Sequence, residues 1–247
     1  TTAAGAVDTY AVAGFSPALV FDPVAGYYRK SGAATTFAGL ATHSRAGNAT
    51  VFDSDGLLKW APHNLALNSA TLDTYDSGDA WGDFTPTANA TVAPDGTTTA
   101  TKIATRPAVD GSVPHFFSAG DMIDGAVHTL TIFAKSTGSG MKLSLGTFNR
   151  STNQYATFDV DVGTVIGGSL SSAASITSDG DGWYLCSVEI PAVTDPNDKF
   201  YVSLWDGSAS FSNGKTSFTG DGVSGLYLWG LHAYRSDLGG MQNNPDR

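Results

Sequence analysis

Glutamate is almost missing from this 247-residue chain: of 23 acidic residues only Glu189 is a Glu, and the other 22 are Asp. Basic residues are few as well, 13 Lys and Arg in all, which leaves a formal net charge of −10. Nucleic-acid binding begins with clustered Lys and Arg, so their scarcity excludes that class of partner. A single cysteine, Cys186, excludes an internal disulfide framework and any multi-Cys metal site. It lies in the alternating run Tyr184-Leu185-Cys186-Ser187-Val188 and reads as a small core hydrophobe. No run approaches the ~18 consecutive apolar residues of a membrane span. No basic segment followed by an apolar block opens the chain, so no signal peptide is expected. The shortage of Glu, Lys and Arg also removes good helix formers.

What is abundant points the same way. Gly (29), Thr (28) and Ser (25) together outnumber the charged residues, and Ser, Thr and Asp compete with a helical backbone for hydrogen bonds. From about Leu65 to Tyr234 short alternating runs are separated by turn residues. Val127 to Lys135 alternates, and Ser136-Thr137-Gly138-Ser139-Gly140 breaks it. Met141 to Leu145, Tyr155 to Val162, Trp183 to Ile190, Lys199 to Trp205 and Gly225 to Tyr234 continue the pattern. Some ten strands rich in Thr, Val, Tyr and Trp predict an all-β fold, a jelly-roll β-sandwich.

Residues 1–64 differ. They are Ala/Gly-rich with short apolar clusters, and are read as an extended attachment segment whose aromatics Phe15, Phe21, Tyr27 and Tyr28 serve assembly. A hairpin is expected near 44–58, with Asp55-Gly56 as its turn. The sandwich is assigned to 65–236, and the polar end 237–247 reads as a linker.

Arg45-Ala46-Gly47-Asn48-Ala49-Thr50-Val51-Phe52-Asp53-Ser54-Asp55-Gly56-Leu57-Leu58, followed by Ala61-Pro62-His63-Asn64-Leu65, resembles a segment common in tailed-bacteriophage structural proteins. There it precedes a β-sandwich similar to carbohydrate-binding modules. The likeness continues through Ala93–Ile103, Leu130–Lys135, Asp179–Val188 and Gly225–Gly230, in the expected order. The resemblance implies a virion component, a fibre, tail or decoration protein assembled in the host cytoplasm. It implies other virion proteins (capsid, neck or tail) as partners, a homo-oligomer, and host-surface polysaccharide as the target of adhesion. A carbohydrate-binding module of a glycan-degrading enzyme and a purely architectural capsid decoration protein are the alternatives.

Glycan hydrolysis usually needs two carboxylates, one of them a protonated acid, and a Glu/Glu pair is impossible here. Most Asp residues lie in turn contexts such as Asp179-Gly180-Asp181-Gly182, where Asx side chains bond their own backbone. No nucleophile elbow is present, and His43, His63, His115, His128 and His232 form no metal-binding pair. The chain is therefore expected not to be an enzyme and to need no cofactor. Asp179 and Asp181 are spaced like the start of a calcium loop without its closing Glu, which leaves room only for a structural Ca2+.

Binding is the stronger expectation. Trp and Tyr rings stack on the C–H faces of sugars while neighbouring polar groups take the hydroxyls. If Leu130, Ile132, Val202, Leu204 and Met141 face the core, alternation sets one outward patch of His115, Phe133, Lys142, Tyr201, Trp205 and His232. In the last strand Tyr227, Trp229 and Leu231 are expected inward, and Trp183 and Trp229 are assigned to the core.

Overall fold

The computed structural model describes residues 19–22, 27–31, 33–36, 50–52, 58–60, 64–66, 69, 71–74, 84–107, 113–114, 116–123, 125–148, 153–192, 198–208, 211–212 and 215–236. The chain divides into two compact units, Thr1–Asn48 and Ala49–Arg247. In the first, β1 (Leu19–Asp22), β2 (Tyr27–Lys30) and β3 (Ala33–Ala34) form an antiparallel sheet in that order. Ser31, at a positive φ of 50°, turns the chain between the last two.

The second unit opens with a hairpin of β4 (Thr50–Phe52) and β5 (Leu58–Trp60), registered Thr50↔Trp60. These strands overlap the expected hairpin, and its Asp55-Gly56 turn lies outside the described residues. Fourteen further strands follow: β6 (Phe84–Thr91), β7 (Ala100–Thr105), β8 (Val113–Pro114), β9 (Phe116–Asp121), β10 (His128–Ser136), β11 (Lys142–Phe148), β12 (Asn153–Asp159), β13 (Thr164–Gly167), β14 (Ala174–Gly180), β15 (Trp183–Ile190), β16 (Lys199–Trp205), β17 (Phe211–Ser212), β18 (Lys215–Phe218) and β19 (Gly225–Arg235). Among the described residues the helical elements are two short 3-10 turns, Leu72–Thr74 and Ser171–Ala173.

A six-stranded sheet in the order β14-β15-β10-β19-β7-β6 faces a five-stranded sheet in the order β13-β12-β11-β16-β9. The chain crosses repeatedly between the two sheets, from β7 to β9, back to β10, on to β11, from β13 to β14, from β15 to β16 and last to β19, and neighbouring strands are antiparallel. That wrapping is a jelly roll, the fold class the alternation predicted. Between the sheets Leu130, Ile132, Cys186, Val188 and Leu228 of one face meet Leu143, Leu145, Phe158, Phe200 and Val202 of the other.

β19 departs from the expected phase. Gly230 takes a positive φ of 64°, and the pairing with β10 slips between Thr131 and Phe133. The extra residue of this bulge shifts the alternation, so Leu226, Leu228, Leu231 and Ala233 all enter the main core. Tyr227 and Trp229, expected inward beside Leu231, instead face outward. There Trp229, Trp183, Ala93 and Ala100 form a second apolar cluster, with Phe133 and Tyr227 packed against it. The two tryptophans are buried as expected, but on the far side of the six-stranded sheet.

Asn64 ties the chain ahead of the sandwich to β19. Its Nδ2 donates to Leu231 O at 3.1 Å, and its Oδ1 accepts from the backbone N–H groups of Ala66 and Ala233, both at 2.9 Å. Backbone bonds from Leu65 N to Ala233 O and from Leu231 N to Ser69 O continue this edge beyond the end of β7.

Candidate functional site

Strand β11 lies in the middle of the five-stranded sheet with β12 on one side and β16 on the other. Met141, Leu143 and Leu145 enter the core, so Lys142, Ser144 and Gly146 face outward. Registration places Lys142 opposite Trp205, Ser144 between Thr157 and Ser203, and Gly146 between Tyr155 and Tyr201. With Asp159 the outer face becomes a grid three strands wide: aromatic corners, a charged edge and a floor of small hydroxyls.

Each part has a physical cause. Gly146 is required because a Cβ there would run into the backbone of Gln154 and Tyr155. Ser144, Thr157 and Ser203 are each only 1% exposed, and the Ser144 hydroxyl donates to Ala156 O at 3.2 Å. The Thr157 hydroxyl is buried and has no hydrogen-bond partner among the described residues. Tyr155 and Trp205 are half-buried, so part of each ring remains open at opposite corners. Burial pushes the Tyr201 phenol up to about 12 and also raises that of Tyr155, so both stay neutral hydroxyls at any physiological pH.

The charged edge is an ion cluster. Lys142 Nζ lies 2.6 Å from Asp159 Oδ2 and 3.3 Å from Asp161 Oδ2. Burial alone would pull the Lys142 ammonium down, but hydrogen bonds and charge from Asp159 and Asp161 outweigh it and raise it. For Asp159 burial would raise the carboxyl, and the Lys142 hydrogen bond with the backbone N–H groups of Asp161 and Val162 overrides it and lowers it. Both partners thus stay charged. The Ser136 hydroxyl also donates to Asp161.

Of the expected patch, Lys142, Tyr201 and Trp205 come together on this face. Phe133 does not join them: it lies on β10 of the other sheet, its ring 5.7 Å from that of Trp229. His232 is on β19 of that sheet as well, buried beside Tyr234 at a ring separation of 5.1 Å. The single patch is thereby split, because β10 and β19 belong to one sheet and β11 and β16 to the other. His115 lies outside the described residues, as does Phe15. Phe21 and Tyr27 belong to the strand pair β1–β2, where Phe21 faces Tyr28 across the ladder, and only Tyr28 has a described side chain, half-buried. Tyr155, Thr157 and Asp159 went unread in the sequence, although extending the alternation outward from Phe158 points to all three.

Asp179 and Asp181 are exposed at the tip of the β14–β15 hairpin, where Gly180, Asp181 and Gly182 carry successive positive φ values. They line a cleft of about 590 Å3 with Val92, Pro94, Lys135 and Trp183. Among the described residues no group of three or more His, Cys, Asp or Glu side chains is placed to hold a metal ion. No helix among them is long and apolar enough to cross a membrane.

No family model and no curated relative matches the chain. A solved structure, the enzymatically active domain of bacteriophage CBA120 tailspike protein 4, is similar at a TM-score of 0.38 and 11% identity. The similarity covers 71% of this chain and 22% of that one, so this chain spans about a fifth of that domain. The neighbour is an enzymatically active domain, and with this finding the expectation of a non-enzyme is withdrawn.

Proposed function

We propose that the chain is part of a tailed-phage virion appendage whose sandwich grips surface polysaccharide through the outer face of the five-stranded sheet. The observation that carries this reading is the grid around β11, with open aromatic corners at Tyr155 and Trp205 over a hydroxyl floor and a rigid Lys142–Asp159 edge. Stacking on the rings fits the apolar face of a neutral sugar, and the Lys142–Asp159 pair at the edge offers polar partners for its hydroxyls. The ordered sequence blocks from Arg45 to Gly230 are the ground for placing it in a virion, where capsid, neck or tail proteins and further copies of the chain are its partners.

A glycan array probed at up to millimolar ligand tests the adhesion. Binding of one neutral glycan class that weakens ~tenfold or more in Trp205→Ala and Tyr155→Ala is expected, a loss of the size that one stacked ring contributes. No binding at any ligand overturns the reading, as does binding untouched by both substitutions.

A further inference from the structure

The opposite face of the sandwich carries a second constellation. In the six-stranded sheet, Lys135 of β10 pairs with Tyr227 of β19, which pairs in turn with Lys102 of β7. All three face outward, because their neighbours Ala134, Leu226, Leu228 and Ile103 enter the core. We propose that this row is a binding site for an acidic polysaccharide, with the two ammonium groups taking carboxylates of the chain and Tyr227 lying under the sugar between them. The inference rests on the reading of the sandwich as a glycan holder and adds a second face and a charged substrate class.

Charge singles the row out. Lys142 and Lys199, on the five-stranded sheet, each have an aspartate partner, Lys199 with Asp121 at 2.8 Å. Lys102 and Lys135 are half-buried, and neither has a carboxylate within ion-pair distance among the described residues. In a chain of net charge −10, two lysines on one sheet row with no counter-ion among the described residues stand out. A partly buried ammonium is poorly solvated, and an anion brought to it recovers that loss.

The geometry suits a saccharide. Lys102 and Lys135 stand on strands separated by one other, so their backbones lie ~9.6 Å apart, a span that a disaccharide bridges. The bed below them is stiff. Lys135 Nζ sits 5.9 Å from the centre of the Trp183 ring, whose Nε1 donates to Val92 O at 3.1 Å, and Trp229 Nε1 donates to Thr99 Oγ1 at 3.1 Å. Beyond Lys135 the cleft holds Asp179 and Asp181, which repel a second carboxylate. The anionic groups therefore lie on the Tyr227 side, and sugar without charge continues toward the cleft.

The test is affinity electrophoresis of the full chain through gels holding polygalacturonate, hyaluronate or polysialate as acidic probes and dextran or another array-positive glycan as neutral ones. At least one acidic polymer is expected to retard the protein, with retardation suppressed by about 0.5 M salt. K102Q/K135Q should weaken that binding ~tenfold or more, K102R/K135R should restore it, and Trp205→Ala should leave it unchanged. Failure of all three acidic polymers overturns the proposal, as does acidic binding that survives K102Q/K135Q with an unchanged melting temperature. If single-stranded DNA displaces the acidic polymers at equal charge, the site is a general polyanion surface and the proposal is wrong. Retardation of the wild-type protein by an acidic polymer but by no neutral one sinks the five-stranded-sheet reading and leaves this one standing.

Discussion

Gly230 shows how one residue redirects a strand. Its left-handed backbone moves Leu231 into the core and turns Trp229 out, and a Cβ there would come within 3.3 Å of the Phe133 ring. Gly230→Ala is expected to cost about 1–2 kcal/mol in urea unfolding, from positive-φ strain together with the crowded ring. Nothing in Leu228-Trp229-Gly230-Leu231 marks the slip, because a glycine in a strand reads equally well as filler or bulge, so the phase of β19 was not legible in advance. Cys186 was legible: it is fully buried, burial raises its thiol, and the native protein should resist thiol reagents until denatured. Asp221 belongs to the turn residues recognised from their Gly and Ser neighbours. The Ser224 hydroxyl and N–H, the Val223 N–H and the Thr105 hydroxyl all donate to its carboxylate and hold it well below the usual range. A depressed folded value means this contribution is complete above pH 3.8, the ordinary value, and is lost as pH falls toward the folded one. Denaturation at pH 7 and again near pH 2 should therefore show a stability gap between wild type and Asp221→Asn that narrows in acid.

Strands with a clean period of two were readable, and β15 and β16 begin and end where their alternation does. β6 was not, since Phe-Thr-Pro-Thr-Ala-Asn-Ala-Thr has little apolar alternation and holds Pro86. It is an edge strand, where a proline leaves no ladder bond unmade, and Asn89 at a φ of 52° marks its own slip in register. β13, another edge, exposes Ile166 and so lacks the buried face that alternation detects. The central strands also set the candidate site: β11 brings Lys142 to Asp159 only because β12 returns beside it in register. A double-mutant cycle of Lys142→Ala and Asp159→Ala, read by urea unfolding, should give a coupling of about 0.5–1 kcal/mol, the range for a pair still partly open to solvent. At low pH the coupling should vanish, since protonation of the depressed Asp159 carboxyl removes the attraction.

Which strand joins which sheet is a property of the whole molecule, and period-two reasoning does not reach it. Phe133 and Lys142 lie on consecutive strands, yet the jelly-roll wrapping sends them to opposite outer faces and divides what alternation alone had joined. A second outer cluster around Trp183 and Trp229 escaped notice for the same reason, because a buried tryptophan reads as core whichever side of its sheet it covers. The extent of the folding unit is likewise a whole-molecule question, and the attachment segment proposed for residues 1–64 runs past the division at Asn48. The main core draws its residues from Ala66 to Ala233, all within Ala49–Arg247, so a fragment of residues 49–247 should fold by itself with cooperative melting. A fragment starting at residue 65 loses Asn64, whose three hydrogen bonds bind the incoming chain to β19, and it leaves Leu231 O and Ala233 N short of partners. Removing that buried amide should cost about 2 kcal/mol, which for a domain of this size lowers the melting temperature by about 4–8 °C. Asn64→Ala in the longer fragment should reproduce most of the difference. Equal melting of the two fragments would show that the sandwich ends where the alternating strands begin and that Asn64 contributes nothing to its edge.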